Sequence, residues 1–105
     1  MASMVIERDH SFSDDDARER MKALGDYFAN KHGMTVSWSG PDKATITGRY
    51  MVVTVEGSVI LAPGKVRFEG KDPGMLWRGK AKDYLGAKLD KYLNPSTPPA
   101  DLPRS

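Results

Sequence analysis

The residue types able to do chemistry are few in this chain. His10 and His32 are the only histidines, and there is no cysteine. A metal centre needs three or four ligands at defined spacing, and a thiolate site needs cysteine, so no metal or cofactor is expected. Ser13 stands directly before Asp14, Asp15 and Asp16. A serine there caps a helix, Asp16 can complete a capping box, and acids suit the positive end of the helix dipole. Three consecutive acids also point in different directions, which argues against a magnesium site. Gly70-Lys71-Asp72-Pro73-Gly74 lacks the spacing of a phosphate-binding loop. His10 is expected to pair with a neighbouring carboxylate or a backbone carbonyl, and His32 to help end its helix. Arg8 shares an alternating face with Ile6 and His10, so it either pairs with an acid on a helix or lines the polar end of a pocket. Nothing here builds a catalytic group, and an enzyme is not expected.

A second set of residues could bind rather than react. Residues 71–94 carry 6 basic and 3 acidic groups, whereas residues 1–33 carry 5 basic and 7 acidic ones. On a helical wheel of residues 75–93, Trp77, Ala81, Tyr84, Leu85, Leu89, Tyr92 and Leu93 share one broad side. Arg78 and Lys82 border that side on one flank, Lys80 and Lys91 on the other, and Lys88 lies within it. Such lysines ordinarily cover apolar surface with their stems. They could also meet an anionic surface or nucleic-acid phosphates; Asp83 and Asp90 interrupt the cluster and weigh against phosphates. Trp38, Trp77, Tyr84 and Tyr92 either fill the core or line a pocket. Gly79 and Gly86 fall on the polar side, where small residues would let a second copy approach and form a homodimer.

These residues need elements to hold them. Residues 4–10 alternate as a strand, and residues 14–32 form a helix with Ala17, Met21, Leu24, Phe28 and His32 on one stripe and Gly33 as its C-cap. Short β-prone runs follow at 34–39, 44–48, 51–55, 58–62 and 65–69, with turns at Gly40-Pro41-Asp42, Gly48-Arg49, Glu56-Gly57 and Pro63-Gly64. Connections this short join antiparallel neighbours. The expected fold is α+β, a single antiparallel sheet of five to six strands in the order β-α-β-β-β-β-β-α. Both helices lie on one face in a helix-grip-like arrangement. Residues 4–94 make one domain, and residues 95–105 a flexible, proline-rich tail.

The remaining bounds come from composition. With 105 residues, 39% hydrophobic and 29% charged, the chain is ordinary for a globular domain. No run approaches the roughly 18 apolar residues of a membrane span, and the opening Met1-Ala2-Ser3-Met4 lacks a signal-peptide core. A cytoplasmic location is expected.

Several stretches together are distinctive. They are Ile6-Glu7-Arg8-Asp9-His10-Ser11-Phe12 followed by Ala17-Arg18, and His32-Gly33 followed by Trp38-Ser39-Gly40. With Gly57-Ser58-Val59-Ile60-Leu61, Val66-Arg67-Phe68 and the lysine-rich final helix, the chain resembles the polyhydroxyalkanoic acid system proteins, small bacterial proteins associated with polyhydroxyalkanoate granules. The resemblance spans roughly residues 4–93. It implies a granule-linked binding or regulatory role through a granule protein or the polymer surface, and it brings no catalytic residues. Two other classes stay open: a small helix-grip carrier of an apolar ligand, and a nucleic-acid-binding regulator. The residues expected to meet a partner or ligand are Arg8, His10, Trp38, Trp77, Arg78, Lys80, Lys82, Tyr84, Lys88 and Lys91. A cavity beside Trp77 and Tyr84 would favour the carrier, and a filled core there the interaction module.

Overall fold

The computed structural model describes residues 3–50 and 53–104. Alternation of apolar and polar residues drives the sheet. β1 (Ser3–Asp9), β2 (Thr35–Trp38), β3 (Lys43–Tyr50), β4 (Val53–Ala62) and β5 (Lys65–Lys71) pair antiparallel throughout, in the spatial order β1-β5-β4-β3-β2. The last four strands form a meander, and β1 closes the far edge against β5. Register places Ile6 opposite Phe68, Phe68 opposite Val59 and Val59 opposite Ala44. All four are buried, so one face of the sheet is the core face. On the other face Thr45, Thr47 and Ser37 are exposed, and Arg67 bridges Glu7 and Glu69 at 3.9 and 3.5 Å.

Helices α1 (Asp14–His32) and α2 (Met75–Tyr92) cover the core face. Helix α1 spans the residues its pattern predicts, with Ser13 Oγ accepting the Asp16 N–H and Gly33 ending it in the left-handed region at φ 67°. The return half of the capping box is replaced, because the Asp16 carboxylate accepts from Arg20 instead.

Three expectations are corrected. Gly48-Arg49 and Glu56-Gly57, expected as turns, lie inside β3 and β4, and the described strands number five, within the expected five to six. Met51 and Val52, the start of the run expected at 51–55, lie outside the described residues. Gly57 serves a close approach: a Cβ built there would stand 2.7 Å from Phe68 Cζ. Glycine within a strand commonly marks such an approach, and a sequence reading confuses it with a turn.

Next, Gly86 is buried, not outward. The Arg8 guanidinium crosses it to reach Asp90, and a Cβ at Gly86 would meet Arg8 Nη2 at 2.7 Å. The glycine stripe is therefore covered at its second member by β1 of the same chain.

Finally, the tail is packed. Residues 95–104 return along α1 through a short 3₁₀ turn (Pro99–Asp101) that delivers Leu102 to the core at 4% exposure. Arg20, 2% exposed, donates to the carbonyls of Tyr92, Asn94 and Thr97, and the Tyr92 hydroxyl donates to the carbonyl of Pro103. Proline-rich composition suggested a loose end, but one leucine and one buried arginine are enough to seat it.

Candidate functional site

Helix α2 packs tightly only at its C-terminal half, where Gly86, Leu89 and Tyr92 are buried against β1 and α1. Toward its N-terminus it stands off the sheet, and a cavity of about 380 Å³ opens beneath it. Trp77, Ala81, Tyr84 and Leu85 form the roof, at the three- and four-residue spacing that puts side chains on one helix face. Phe68, Ile46 and Val55 form the floor from β5, β3 and β4, while Phe28 of α1 and Met34 close one side. Pro73 and Lys80 also line it, so among the described residues a single charged side chain borders an otherwise apolar and aromatic space. That composition and volume suit a small organic ligand.

The first turn of α2 is held by Asp72. Its Oδ1 accepts the Gly74 N–H at 2.9 Å, and its Oδ2 accepts from Arg78 at 2.6 Å. Arg78 first, and then the Gly74 N–H, hold the Asp72 carboxyl below its ordinary range. Arg78 is thereby committed to the helix start. Met75 and Leu76, just beyond, are 86% and 87% exposed.

Behind Tyr84 lies a polar aromatic cluster between the two helices. His32 Nε2 and the Tyr84 hydroxyl are 3.0 Å apart. Lys88 donates to the Tyr27 hydroxyl at 3.2 Å, and its ammonium lies over the Tyr27 ring at 4.2 Å. The hydrogen bond from Lys88 is the main cause lowering the Tyr27 hydroxyl below its usual value. Burial, with the charges of Lys31 and Lys88, pushes His32 below an ordinary histidine.

The expected site residues thus divide. Trp77, Lys80 and Tyr84 line the cavity, and Lys88 backs it through Tyr27 and Tyr84. Lys82 and Lys91 are exposed and lie outside the lining. Arg8 pairs with Asp90 of α2 at 2.8 Å and donates to the Glu7 carbonyl, away from the cavity. Trp38 is half-buried on β2 and borders a separate polar cleft with Arg18, Lys22, Asp26 and Arg104. His10 is corrected: its Nδ1 accepts the Phe12 N–H at 3.1 Å, so it pairs with a donor rather than with a carboxylate or carbonyl. Its ring stacks on Phe12, which in turn carries the Arg20 guanidinium 4.0 Å from its centre.

Sequence reasoning missed the floor of the cavity and the Tyr27–His32 cluster. Phe68, Ile46 and Val55 occupy ordinary inward strand positions, and nothing in their types separates a cavity floor from a filled core. His32 did carry a signal. It sits four residues after Phe28 on the apolar stripe of α1, which orients it toward α2 rather than toward its own helix end.

Among the described residues no group of three histidine or acidic side chains converges as a metal site, and no helix is long and apolar enough to cross a membrane. No curated protein and no solved structure matches the chain significantly. One family model does match, described as "Putative polyhydroxyalkanoic acid system protein", and it takes in residues 4–96. With nearly all of its β-α-β-β-β-β-α body inside that match, the chain belongs to the polyhydroxyalkanoic acid system protein family.

Proposed function

We propose that this chain is a noncatalytic binding protein of the polyhydroxyalkanoic acid system, working in the cytoplasm, that holds an apolar ligand between α2 and the sheet. The observation that carries this reading is the cavity of about 380 Å³ beside Trp77 and Tyr84. A domain of this size ordinarily packs such surface away, and a concave apolar space partly open to solvent leaves it uncovered. A space retained there makes sense as a site. The binding role is supported by the lining, whose described residues offer shape and a largely apolar, aromatic surface with Lys80 at its border.

The test uses Trp77 as reporter in a Trp38→Phe background. Titration with decanol should move the emission of Trp77 and saturate at one ligand per chain, and native mass spectrometry should show the same stoichiometry. An unmoved, unsaturable signal with no bound mass would overturn the reading.

A second reading, contact with the granule surface or a granule protein, is favoured by Met75 and Leu76. Large apolar side chains this exposed, next to Arg78, Lys80 and Lys82, suit an amphipathic contact. Nucleic-acid binding is less supported, because Arg78 is neutralised by Asp72 and Lys88 is turned into the tyrosine cluster. Two of the basic groups expected to meet phosphates are thereby already engaged.

A further inference from the structure

The cavity is asymmetric in a way that bears on the head group of its ligand. Its apolar lining cannot solvate a charge, so a charged head must remain at the rim while the chain goes inside. At the rim the charges do not balance. Asp72 is consumed by Arg78, with two close contacts at 2.6 and 2.8 Å. Lys80 borders the cavity and is exposed; its ammonium rests 5.5 Å from the centre of the Trp77 ring, and among the described residues it forms no ion pair. Lys88, near the other end of the roof, already has the Tyr27 hydroxyl as acceptor and two tyrosine rings beneath it. Lys80 is therefore the lining cation with capacity to spare.

We infer that the cavity takes an anionic amphiphile, a straight-chain carboxylate, with its tail beneath Trp77 and Tyr84 and its head on the Lys80 ammonium. This rests on reading the cavity as an apolar-ligand site. At about 30 Å³ per water-sized group, the cavity of about 380 Å³ has room for a chain on the order of ten carbons. Lys80 does not have to give up a carboxylate partner to meet the ligand. The cation–π contact with Trp77 is compatible with a carboxylate on the outer side of the ammonium. A cationic head at the same rim meets Lys80 and Lys82 as like charges.

The experiment compares three ten-carbon probes, decanoate, decanol and decyltrimethylammonium, on the full chain carrying Trp38→Phe. Decanoate is expected to bind at least tenfold tighter than decanol, and the cationic probe weaker than both. Lys80→Gln should bring the ratio of decanoate to decanol affinity from at least tenfold to about one, whatever it does to the two affinities together. Added salt should weaken decanoate alone. Equal binding of decanoate and decanol by the unmodified Lys80 protein overturns the head-group assignment and leaves the apolar site standing. Loss of the preference in Lys88→Gln rather than Lys80→Gln overturns it too, by placing the head at the tyrosine cluster. Binding of none of the three probes overturns both the assignment and the site. Lys80 is exposed, so its replacement leaves folding intact, and circular dichroism checks this.

Discussion

His32 shows how much a single side chain can tie together here. Its ring lies between Tyr27, Phe28 and Tyr84, with the Tyr84 hydroxyl 3.0 Å from Nε2. Burial disfavours the imidazolium, and Lys31 and Lys88 disfavour it further, so its folded value lies below the ordinary 6.5. The direction of the linkage follows. Between the folded value and about 6.5 the unfolded chain binds more protons than the folded one, so stability rises with pH in that window. The contribution is complete above about pH 6.5 and is lost as pH falls through the folded value. Urea midpoints measured from pH 5 to 8 should decline on the acid side, and His32→Gln should flatten that decline. A parallel decline in both proteins would assign it to other groups. Tyr84 links this to the site, because the same residue roofs the cavity and meets His32.

At the scale of elements, the most consequential contact is the one the chain makes with its own end. Arg20 is buried on α1 and donates to three carbonyls that follow or end α2, so it ties the first helix, the last helix and the tail together. Arg20→Met keeps an apolar stem but leaves those carbonyls without their donor and Phe12 without its cation. The expected loss is about 2–4 kcal/mol, the range for unsatisfied buried acceptors and a broken buried charge contact. Arg20→Lys should recover only part of it, because one ammonium cannot reproduce the guanidinium fork. Equilibrium unfolding in urea reads both, and equal stability of the methionine variant would show that the tail is not held this way. This element was the least legible part of the fold. Helix α1 could be read to both ends because Ser13 and Gly33 are local signals whose meaning does not depend on distant residues. Nothing in the sequence singles out Arg20, because the carbonyls it serves lie more than seventy positions away. The same reason hid the role of Gly86, whose neighbour is Arg8 at the opposite end of the chain. Gly57 was misread for a related cause, since the Phe68 ring that requires it belongs to the next strand. Local chemistry was legible, and long-range occupancy of the same positions was not.

For the whole molecule, the two binding readings make opposite demands on the space beneath α2. If the cavity is the site, the fold carries it at a cost in stability, and filling it should strengthen the domain and disable it together. Ala81 is the position to use, because it points into the roof between Trp77 and Tyr84 and is small. Ala81→Phe is expected to stabilise the chain by about 0.5–2 kcal/mol, as cavity-filling substitutions commonly do. The same change should abolish the decanol response of Trp77. If instead the exposed pair Met75 and Leu76 carries function through a granule surface, Ala81→Phe should leave binding to isolated granules unchanged. Replacing Met75 and Leu76 with serine should then remove it. Half of this contrast is written in the helix sequence, where Trp77 and Tyr84 already stand out at helical spacing. The other half depends on how far α2 stands from Phe68, Ile46 and Val55, a distance set by the packing of Leu89 and Tyr92 at its far end. A helix clamped at one end and raised at the other gives the protein a concave apolar space without a separate lid. Ala81→Phe therefore tests whether that geometry is used, and a variant that is more stable yet still binds decanol would move the site elsewhere.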